Sequence, residues 1–288
     1  MLPFANESGD ANNEYLSDGL SDALINKLSQ LPQLKVIARS SSFKYKGKAT
    51  DVGEIADALG VQAIVTGRIT KRGDDLQISV EMIDAAENIQ IWGEQYNRQV
   101  SDVLNVQKDI VRTVSEKLLL KLTGTQERQI AKQATGNSQA YQLYLNGVFY
   151  RRRNGADNLK KAIEYQNQAI ALDPDFAMAY AETALNYSVL VEIGAINPID
   201  GKPKARAAAE KAAALDNTLP EVYFALGYVE NQELNWTEAE QSFKRAIELN
   251  PNFSGAHTLY AAYLSQLGRT DEALAEIRGY EKLAFRSE

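Results

Sequence analysis

The chain has 288 residues, of which 44% are hydrophobic, and its 31 basic and 38 acidic residues give a net charge of −7. This length and composition predict a soluble globular protein with two folded units, and the acidic balance argues against binding to nucleic acid or an anionic membrane surface. The lack of cysteine excludes disulfides and thiolate metal sites, and no segment approaches the roughly 18 apolar residues of a membrane span, so no membrane insertion is predicted.

The chain opens with helix and strand signals in alternation. Leucines at helical spacing predict an amphipathic helix over about residues 14–31, and they are Leu16, Leu20, Leu24, Leu28 and Leu31. Pro32 ends this helix. The apolar run at residues 34–38 then predicts a short buried strand, and residues 51–59 predict a second helix that ends at Gly60.

A meander of strands follows. Residues 61–71 predict a strand, and the polar turn at residues 72–75 leads into an alternating apolar pattern at Leu76, Ile78, Val80 and Met82. Residues 89–96 predict a third strand and residues 103–118 a long closing helix. With a strand end at residues 2–4, which predicts that the chain starts inside a domain, residues 1–122 should form an α+β domain with helices on one face of a mixed sheet.

The second half contains a repeat. Related strings of the form Ala-x-x-Leu-Asp/Asn-Pro/Asn end at residues 174, 217 and 251, and periodicity on this scale is typical of a solenoid. The residues resemble the tetratricopeptide repeat, and the third copy matches best, through Tyr223, Leu226, Gly227, Ala239, Phe243, Ala246 and Pro251. Glu230 departs from the aromatic residue usual at its position.

The predicted fold is therefore an α+β domain followed by an all-α solenoid of about four helical hairpins. The linker is predicted at residues 123–137, with Ser138 as a helix N-cap, and the repeats at about 140–176, 177–219, 220–253 and 254–288. The second repeat carries about nine extra residues between its helices, within residues 189–201. No capping helix follows the fourth hairpin, which allows homo-oligomer formation through the last repeat.

Short motifs in the first half resemble the TolB N-terminal-like domain. They include Met1-Leu2-Pro3-Phe4, Glu14-Tyr15-Leu16-Ser17-Asp18-Gly19, Val36-Ile37-Ala38-Arg39 and Trp92-Gly93-Glu94-Gln95-Tyr96. Fusion of that domain to tetratricopeptide repeats implies the C-terminal part of a longer bacterial signalling protein: a receptor kinase, a class III nucleotide cyclase or a CadC-like regulator. The resemblance implies an extracytoplasmic region of a membrane-anchored protein, with a cytoplasmic location as the alternative.

No residue pattern indicates catalysis. His257 is the single histidine and is predicted to be a packed residue of the fourth repeat, while Asp18 and Asp22 are predicted on a solvated helix face. No phosphate-binding glycine motif occurs, and neither a metal site nor a cofactor is predicted. Any kinase or cyclase activity would then lie in an upstream domain.

The predicted function is binding of a protein or peptide partner. In tetratricopeptide proteins the first helix of each hairpin lines a groove, and that pattern, together with the basic run at residues 151–153, selects Tyr141, Tyr144, Arg151, Arg152, Leu185, Phe224, Tyr228, Asn231, Gln232 and Gln266. An aromatic surface edged by amides suits peptide recognition. The alternatives are a free-standing scaffold or envelope assembly factor, and an enzyme with an unrecognised site in the α+β domain.

Overall fold

The computed structural model describes residues 1–48, 51–118, 120 and 122–285. Its contacts divide the chain into two compact units, one of residues Met1–Gln133 and one that begins at Ala134. The first unit contains the sheet and the second is helical, so each is described by itself.

Among its described residues, the N-terminal unit contains four strands and five α-helices. The strands are β1 (Ala5–Asn6), β2 (Ala63–Arg72), β3 (Asp75–Asp84) and β4 (Ile89–Gln99), and the helices are α1 (Glu14–Ser29), α2 (Arg39–Ser42), α3 (Val52–Leu59), α4 (Val103–Lys117) and α5 (Gly124–Ala131). The strand order is β1-β2-β3-β4, with β1 parallel to β2 and the other pairs antiparallel. The predicted mixed sheet and meander are thus confirmed.

Alternation along β3 decides which face of the sheet is buried. Leu76, Ile78, Val80 and Met82 are at most 2% exposed, whereas their neighbours point to the opposite face, as the two-residue period of a strand requires. Helix α4 packs against β4 and α1, and α1 packs against β2. The apolar faces of these helices therefore cover one side of the sheet.

The predicted strand at residues 34–38 is wrong. Those residues are irregular, and of them only Ile37 is buried, so the run lacks the continuous apolar face that a central strand needs. The N–H of Leu34 donates to the carbonyl of Leu31 at 2.9 Å, which turns the chain directly after α1. The sheet takes its parallel strand from β1 instead.

The polar segment predicted as a linker contains helix α5. Its start is a capping box, in which the Thr123 hydroxyl accepts from the N–H of Gln126 and the Gln126 side chain accepts from the N–H of Thr123. Asn137, rather than the predicted Ser138, caps the next helix, because its Oδ1 accepts from the N–H groups of Gln139 and Ala140 at 3.0 Å.

The second unit consists of eight described helices in four consecutive pairs. They are α6 (Ser138–Arg151), α7 (Ala156–Leu172), α8 (Ala177–Glu192), α9 (Pro198–Leu215), α10 (Pro220–Gln232), α11 (Trp236–Leu249), α12 (Ser254–Gln266) and α13 (Thr270–Phe285). The helices of each pair pack on one another, and each pair contacts the next. Small residues allow this close packing, since Ala162, Ala169, Ala212, Ala239 and Ala246 are fully buried.

The predicted insertion between the helices of the second pair is shorter than expected. Helix α8 continues to Glu192 and α9 begins at Pro198, so residues 193–197 alone connect them. The extra sequence mostly lengthens the two helices. Asn197 caps α9 with its side chain, and Pro198 at the first helical position needs no backbone donor there.

Candidate partner-binding face

The first helices of the four hairpins form a continuous row. Helix α6 contacts α8, α8 contacts α10, and α10 contacts α12. We call the surface that they share the first-helix face. Nine of the ten residues predicted to bind a partner lie on these four helices. The tenth, Arg152, directly follows α6.

Three of the predicted binding residues are buried. Tyr141 is 2% exposed, and Tyr144 and Leu185 are each 6% exposed. The rings of Tyr141 and Tyr144 stack with centroids 5.9 Å apart, and Tyr144 also lies 5.1 Å from the ring of Phe176. In this structure these side chains contribute packing at the start of the repeat region, with little surface offered to a ligand.

The aromatic residues of α10 are more open. Phe224 is partly exposed, and its ring centroid lies 5.0 Å from that of Phe253. Tyr228, also partly exposed, donates its hydroxyl to the Glu192 carboxylate at the end of α8. Burial and the adjacent negative charge of Glu192 both disfavour the phenolate, so the pKa of Tyr228 is raised well above its usual value. It therefore acts as a neutral hydrogen-bond donor.

The predicted amides differ in their bonding. Nε2 of Gln232 donates to the carbonyl of Ser188 at 3.0 Å and so ties α10 to α8. Oδ1 of Asn231 is buried and has no hydrogen-bond partner among the described residues. Gln266 is exposed on α12. Gln232 is thus a structural contact, Asn231 keeps an acceptor without a partner among the described residues, and Gln266 is open to solvent.

The basic run at the end of α6 is partly engaged within the protein. Nη2 of Arg151 lies 3.0 Å from Oε1 of Glu182 on α8, and the two form a salt bridge. The guanidinium of Arg153 lies 4.1 Å from the centroid of Phe149. Arg152 is exposed. Because Arg151 is neutralised by Glu182, the three arginines do not form one block of free positive charge.

A charged cluster between α9 and the C-terminal end of α10 was not predicted from the sequence. Lys202 donates to the carbonyl of Gln232 at 2.7 Å, and Nε of Arg206 lies 3.1 Å from Oε2 of Glu233. Nη1 of Arg206 is also 3.8 Å from Oε1 of Glu230. The one available signal was the acidic residue at position 230, where an aromatic is usual.

Glu230 is 8% exposed and accepts a hydrogen bond of 2.6 Å from the hydroxyl of Ser242. Burial is the largest influence on this carboxyl group and raises its pKa, against the opposing effects of Ser242 and Arg206. Glu230 therefore replaces the usual ring by a hydrogen-bonded carboxyl group between α10 and α11.

His257 is packed as predicted. It is 4% exposed, with Nδ1 2.5 Å from Oε1 of Glu276 and Nε2 2.9 Å from the carbonyl oxygen of Pro251. The two ring nitrogens thus face one acceptor on α13 and one in the segment that precedes α12. Across the described part of the chain, no three His, Cys, Asp or Glu residues are grouped closely enough to hold a metal ion, and no helix has the length and apolarity to cross a membrane.

The two aspartates predicted on a solvated face are instead engaged in α1. Asp22 is 6% exposed and its Oδ1 lies 3.3 Å from Nε of Arg39. Asp18 forms a salt bridge with Lys46, which also pairs with Glu14. These pairs attach the segment after α1 to that helix, because each carboxylate is held by a cation from residues 39–46.

An open pocket of about 590 Å³ lies at the end of the β2–β3 hairpin. Its polar lining includes Thr70, Arg72, Asp75, Asn97 and Asp102. These groups come from turn and strand ends and do not converge on a nucleophile with a neighbouring base. The pocket therefore does not define a reaction.

Two family models match the chain. Residues 1–121 match the second domain of HilA/YgeH-like transcriptional regulators, and residues 242–275 match a tetratricopeptide repeat. The resemblance to the tetratricopeptide repeat is thereby confirmed for residues 242–275, which run from α11 through α12 to the start of α13. The model that matches the α+β domain is the HilA-like one, and the likeness to the TolB N-terminal domain stays a prediction.

Curated relatives match most of this chain but less than half of their own length. A candidate adenylate cyclase 3 of Rhizobium meliloti strain 1021 is 31% identical over 84% of this chain and 41% of its own. The transcriptional regulator HilA of Salmonella typhimurium is 21% identical over 81% of this chain and 42% of its own. The chain thus spans about two fifths of each relative.

Solved structures of MamA are similar at lower identity. One MamA crystal structure is 20% identical with a TM-score of 0.37, and covers 63% of this chain and 90% of its own. MamA from Desulfovibrio magneticus RS-1 is 13% identical with a TM-score of 0.38, and covers 64% of this chain and 94% of its own.

Proposed function

We propose that this chain is a non-catalytic, protein-binding region of a larger bacterial signalling protein, and that a peptide or protein partner binds on the first-helix face. The observation that carries the proposal is the continuous row of α6, α8, α10 and α12, on which aromatic and amide side chains remain partly or fully exposed. Aromatic rings supply large contact areas at small entropic cost, and amides supply adaptable hydrogen bonds.

The relatives support the larger context. More than four fifths of this chain matches both a protein named as an adenylate cyclase and a protein named as a transcriptional regulator. Those two activities require different effector chemistry. A region common to both is therefore better suited to sensing or binding than to either output, and we propose that the α+β domain and the repeats act together in that role.

Site-specific photo-crosslinking tests where a partner binds. The full-length protein is produced in its native host with a photoreactive phenylalanine analogue at position 224 or 266. Phe224 is partly exposed on α10, and Gln266 is exposed on α12. Because both positions lie on the first-helix face, we expect each to yield the same discrete crosslinked band after irradiation.

Gln241 provides a matched control, since this exposed glutamine lies on α11, a second helix. The proposal requires that the band be absent, or much weaker, when the analogue is at Gln241. A band of equal intensity from Gln241, or no band from either first-helix position, would contradict binding on the first-helix face.

A further inference from the structure

Strand β4 forms an open edge of the sheet. It pairs on one side with β3, and among the described residues no other strand is bonded to it. Nine of its eleven residues are exposed, the exceptions being Trp92 and Tyr96. An unpaired edge offers a row of backbone donors and acceptors to another strand.

The two edge strands of the sheet differ in length and in their ability to pair with another strand. The opposite edge is β1, which is two residues long and so offers little to pair with. Strand β4 is long, and residues 89–99 contain neither proline nor lysine, the residues that commonly block such pairing. The sheet is thus protected at the β1 edge, whereas residues 93–99 of β4, which lie beyond the register shift near Trp92, have no strand on their outer side among the described residues.

The hydrogen-bond register identifies the groups that face outward. The N–H of Val100 donates to the carbonyl of Asp74 at 2.8 Å, and Gln99 is in register with Asp75. Hydrogen-bonded and non-hydrogen-bonded pairs alternate in an antiparallel ladder. Even-numbered residues from 92 to 98 therefore bond to β3, whereas Gly93, Gln95, Asn97 and Gln99 direct their N–H and C=O groups to the open edge.

A second copy of β4 can satisfy those groups in an antiparallel arrangement, provided that odd-numbered residues face odd-numbered residues. Pairing centred on Glu94 would place the two Glu94 carboxylates opposite one another, which is unfavourable. Pairing centred on Tyr96 instead places Glu94 opposite Arg98 of the other copy, twice. Glu94 and Arg98 are both exposed. Glu94 accepts a hydrogen bond of 3.2 Å from the Tyr96 hydroxyl and Arg98 donates to the carbonyl of Asn97 at 3.0 Å, but neither forms a salt bridge among the described residues.

We propose that two copies of this chain associate through β4, with the strands antiparallel and centred on Tyr96, so that the two sheets join into one. Residues 93–99 of each copy form the shared ladder, and Gln95 faces Asn97 of the second copy. A ladder of this length buries less surface than a stable protein interface of standard size. The association is therefore weak, and it is strengthened when two chains are held together elsewhere.

Charge exchange tests both the interface and its register. In a dimer of the Glu94→Arg variant, arginine faces Arg98 at both sites, and in a dimer of Arg98→Glu, glutamate faces Glu94 at both sites. We expect each single variant to dimerise about tenfold more weakly than the unchanged chain, because two attractive pairs become repulsive. Sedimentation velocity over a range of concentrations measures the dissociation constants.

The two single variants restore each other when mixed. In the mixed dimer, the arginine introduced at position 94 of one variant faces the glutamate introduced at position 98 of the other, and the remaining site keeps the original Arg98 with Glu94. We expect the equimolar mixture and the double variant Glu94→Arg/Arg98→Glu to associate as strongly as the unchanged chain. Far-ultraviolet circular dichroism and melting temperature verify that each variant is folded.

Three outcomes would overturn the proposal. The first is that the unchanged chain stays monomeric at concentrations up to about 1 mM, because its dissociation constant would then be too high for a specific interface. The single variants could associate as strongly as the unchanged chain, which would place the contact elsewhere, for instance on the last hairpin. The mixture could fail to recover, which would exclude the register centred on Tyr96.

Discussion

The first and third helical hairpins solve the same packing problem with opposite chemistry. In the third hairpin, a Cβ added to Gly227 would meet the ring of Phe243 at 2.8 Å, so the glycine is what lets α10 approach α11. In the first hairpin, Gly147 makes the same approach to Gln166. An aromatic ring fills the space in one case and a buried amide in the other.

The contrast extends to the helix that follows. Tyr263 of α12 is 1% exposed, packs near Phe243 at 5.9 Å and donates its hydroxyl to the carbonyl of Trp236 at 2.8 Å. Asn186 occupies the equivalent position of α8. It lies two residues after the buried Ala184, as Tyr263 lies two residues after the buried Ala261. Asn186 is fully buried, and neither of its amide atoms has a hydrogen-bond partner among the described residues.

The difference shows where stability is concentrated in the repeat region. A buried polar group without a partner costs about 1–3 kcal/mol, whereas an aromatic pair adds about 0.5–1.5 kcal/mol beyond its buried area. Oε1 of Gln166 is also without a partner among the described residues. We therefore expect the junction of the first two hairpins to open more readily than that of the last two.

The largest expected effect tests the aromatic half. Ala246 is fully buried in α11, where two helices cross. Replacing it by glutamate introduces a charge without a partner, and we expect Ala246→Glu to lower the free energy of unfolding by about 3 kcal/mol or more. Urea denaturation followed by circular dichroism measures the change.

The control for this substitution is Ala262→Glu, at an exposed position of the adjacent helix α12. It adds the same side chain at the surface and should change stability by less than about 0.5 kcal/mol. If both variants lost the same stability, Ala246 would not lie at a tight helix crossing and the assigned repeat register would be incorrect.

The fold could be predicted where a residue pattern has a single structural meaning. Alternation from Leu76 to Met82 fits a half-buried strand and no helix, and glycine with alanine at fixed spacing fits packed helical hairpins. The run at residues 34–38 is ambiguous, because a short apolar run fits a buried strand or an irregular segment equally well. Helix α5 was missed because its sequence is polar and its start depends on side-chain capping by Thr123.

The candidate site could be predicted only as a set of positions. Repeat spacing places Tyr141, Tyr144 and Leu185 on first helices, but their burial depends on neighbouring side chains that spacing does not describe. The salt bridge between Arg206 and Glu233 joins a residue of α9 to the residue that directly follows α10, 27 positions further along the chain. Spacing within one helix carries no information about such contacts.

The second prediction tests the polar half. Replacing Asn186 by leucine, which has nearly the same shape, removes two buried polar groups that lack partners among the described residues. We expect Asn186→Leu to raise the free energy of unfolding by about 1–2 kcal/mol, since leucine also favours helix. Slower amide hydrogen exchange in α7 and α8 should accompany the gain, because the first junction would open less often.

The reciprocal control is Val229→Asn, at the equivalent position of α10. Val229 is 2% exposed, so the variant places an amide in an apolar site, and we expect a loss of about 2–3 kcal/mol. A loss of stability in Asn186→Leu would show that the Asn186 amide is satisfied in solution. The contrast between the two junctions would then fail.

The smallest expected effect concerns Glu230 and Glu240, two carboxyl groups of the third hairpin. Their contributions to the free energy of unfolding should change with pH in opposite directions. Glu240 on α11 accepts hydrogen bonds from Arg269 at 2.7 Å and from the Tyr260 hydroxyl at 3.0 Å. The bonds from Arg269 and then from Lys244 lower the pKa of Glu240 to about 2. A lowered folded-state pKa gives stabilisation that is complete above the ordinary value near 4.5 and is lost as pH falls toward 2.

Glu240→Gln should therefore destabilise the protein by about 1 kcal/mol at pH 7, a value reduced by solvent screening, and by less at pH 3. Glu230→Gln should do the reverse. Because burial raises the pKa of Glu230, its ionised form costs stability above that pKa, and the neutral amide should be most favourable at neutral pH. Urea denaturation of both variants at pH 7 and pH 3 measures the four differences. If the change in the free energy of unfolding varied with pH in the same direction for both variants, the prediction would be wrong. Salt bridges would then not dominate at Glu240, or burial would not dominate at Glu230.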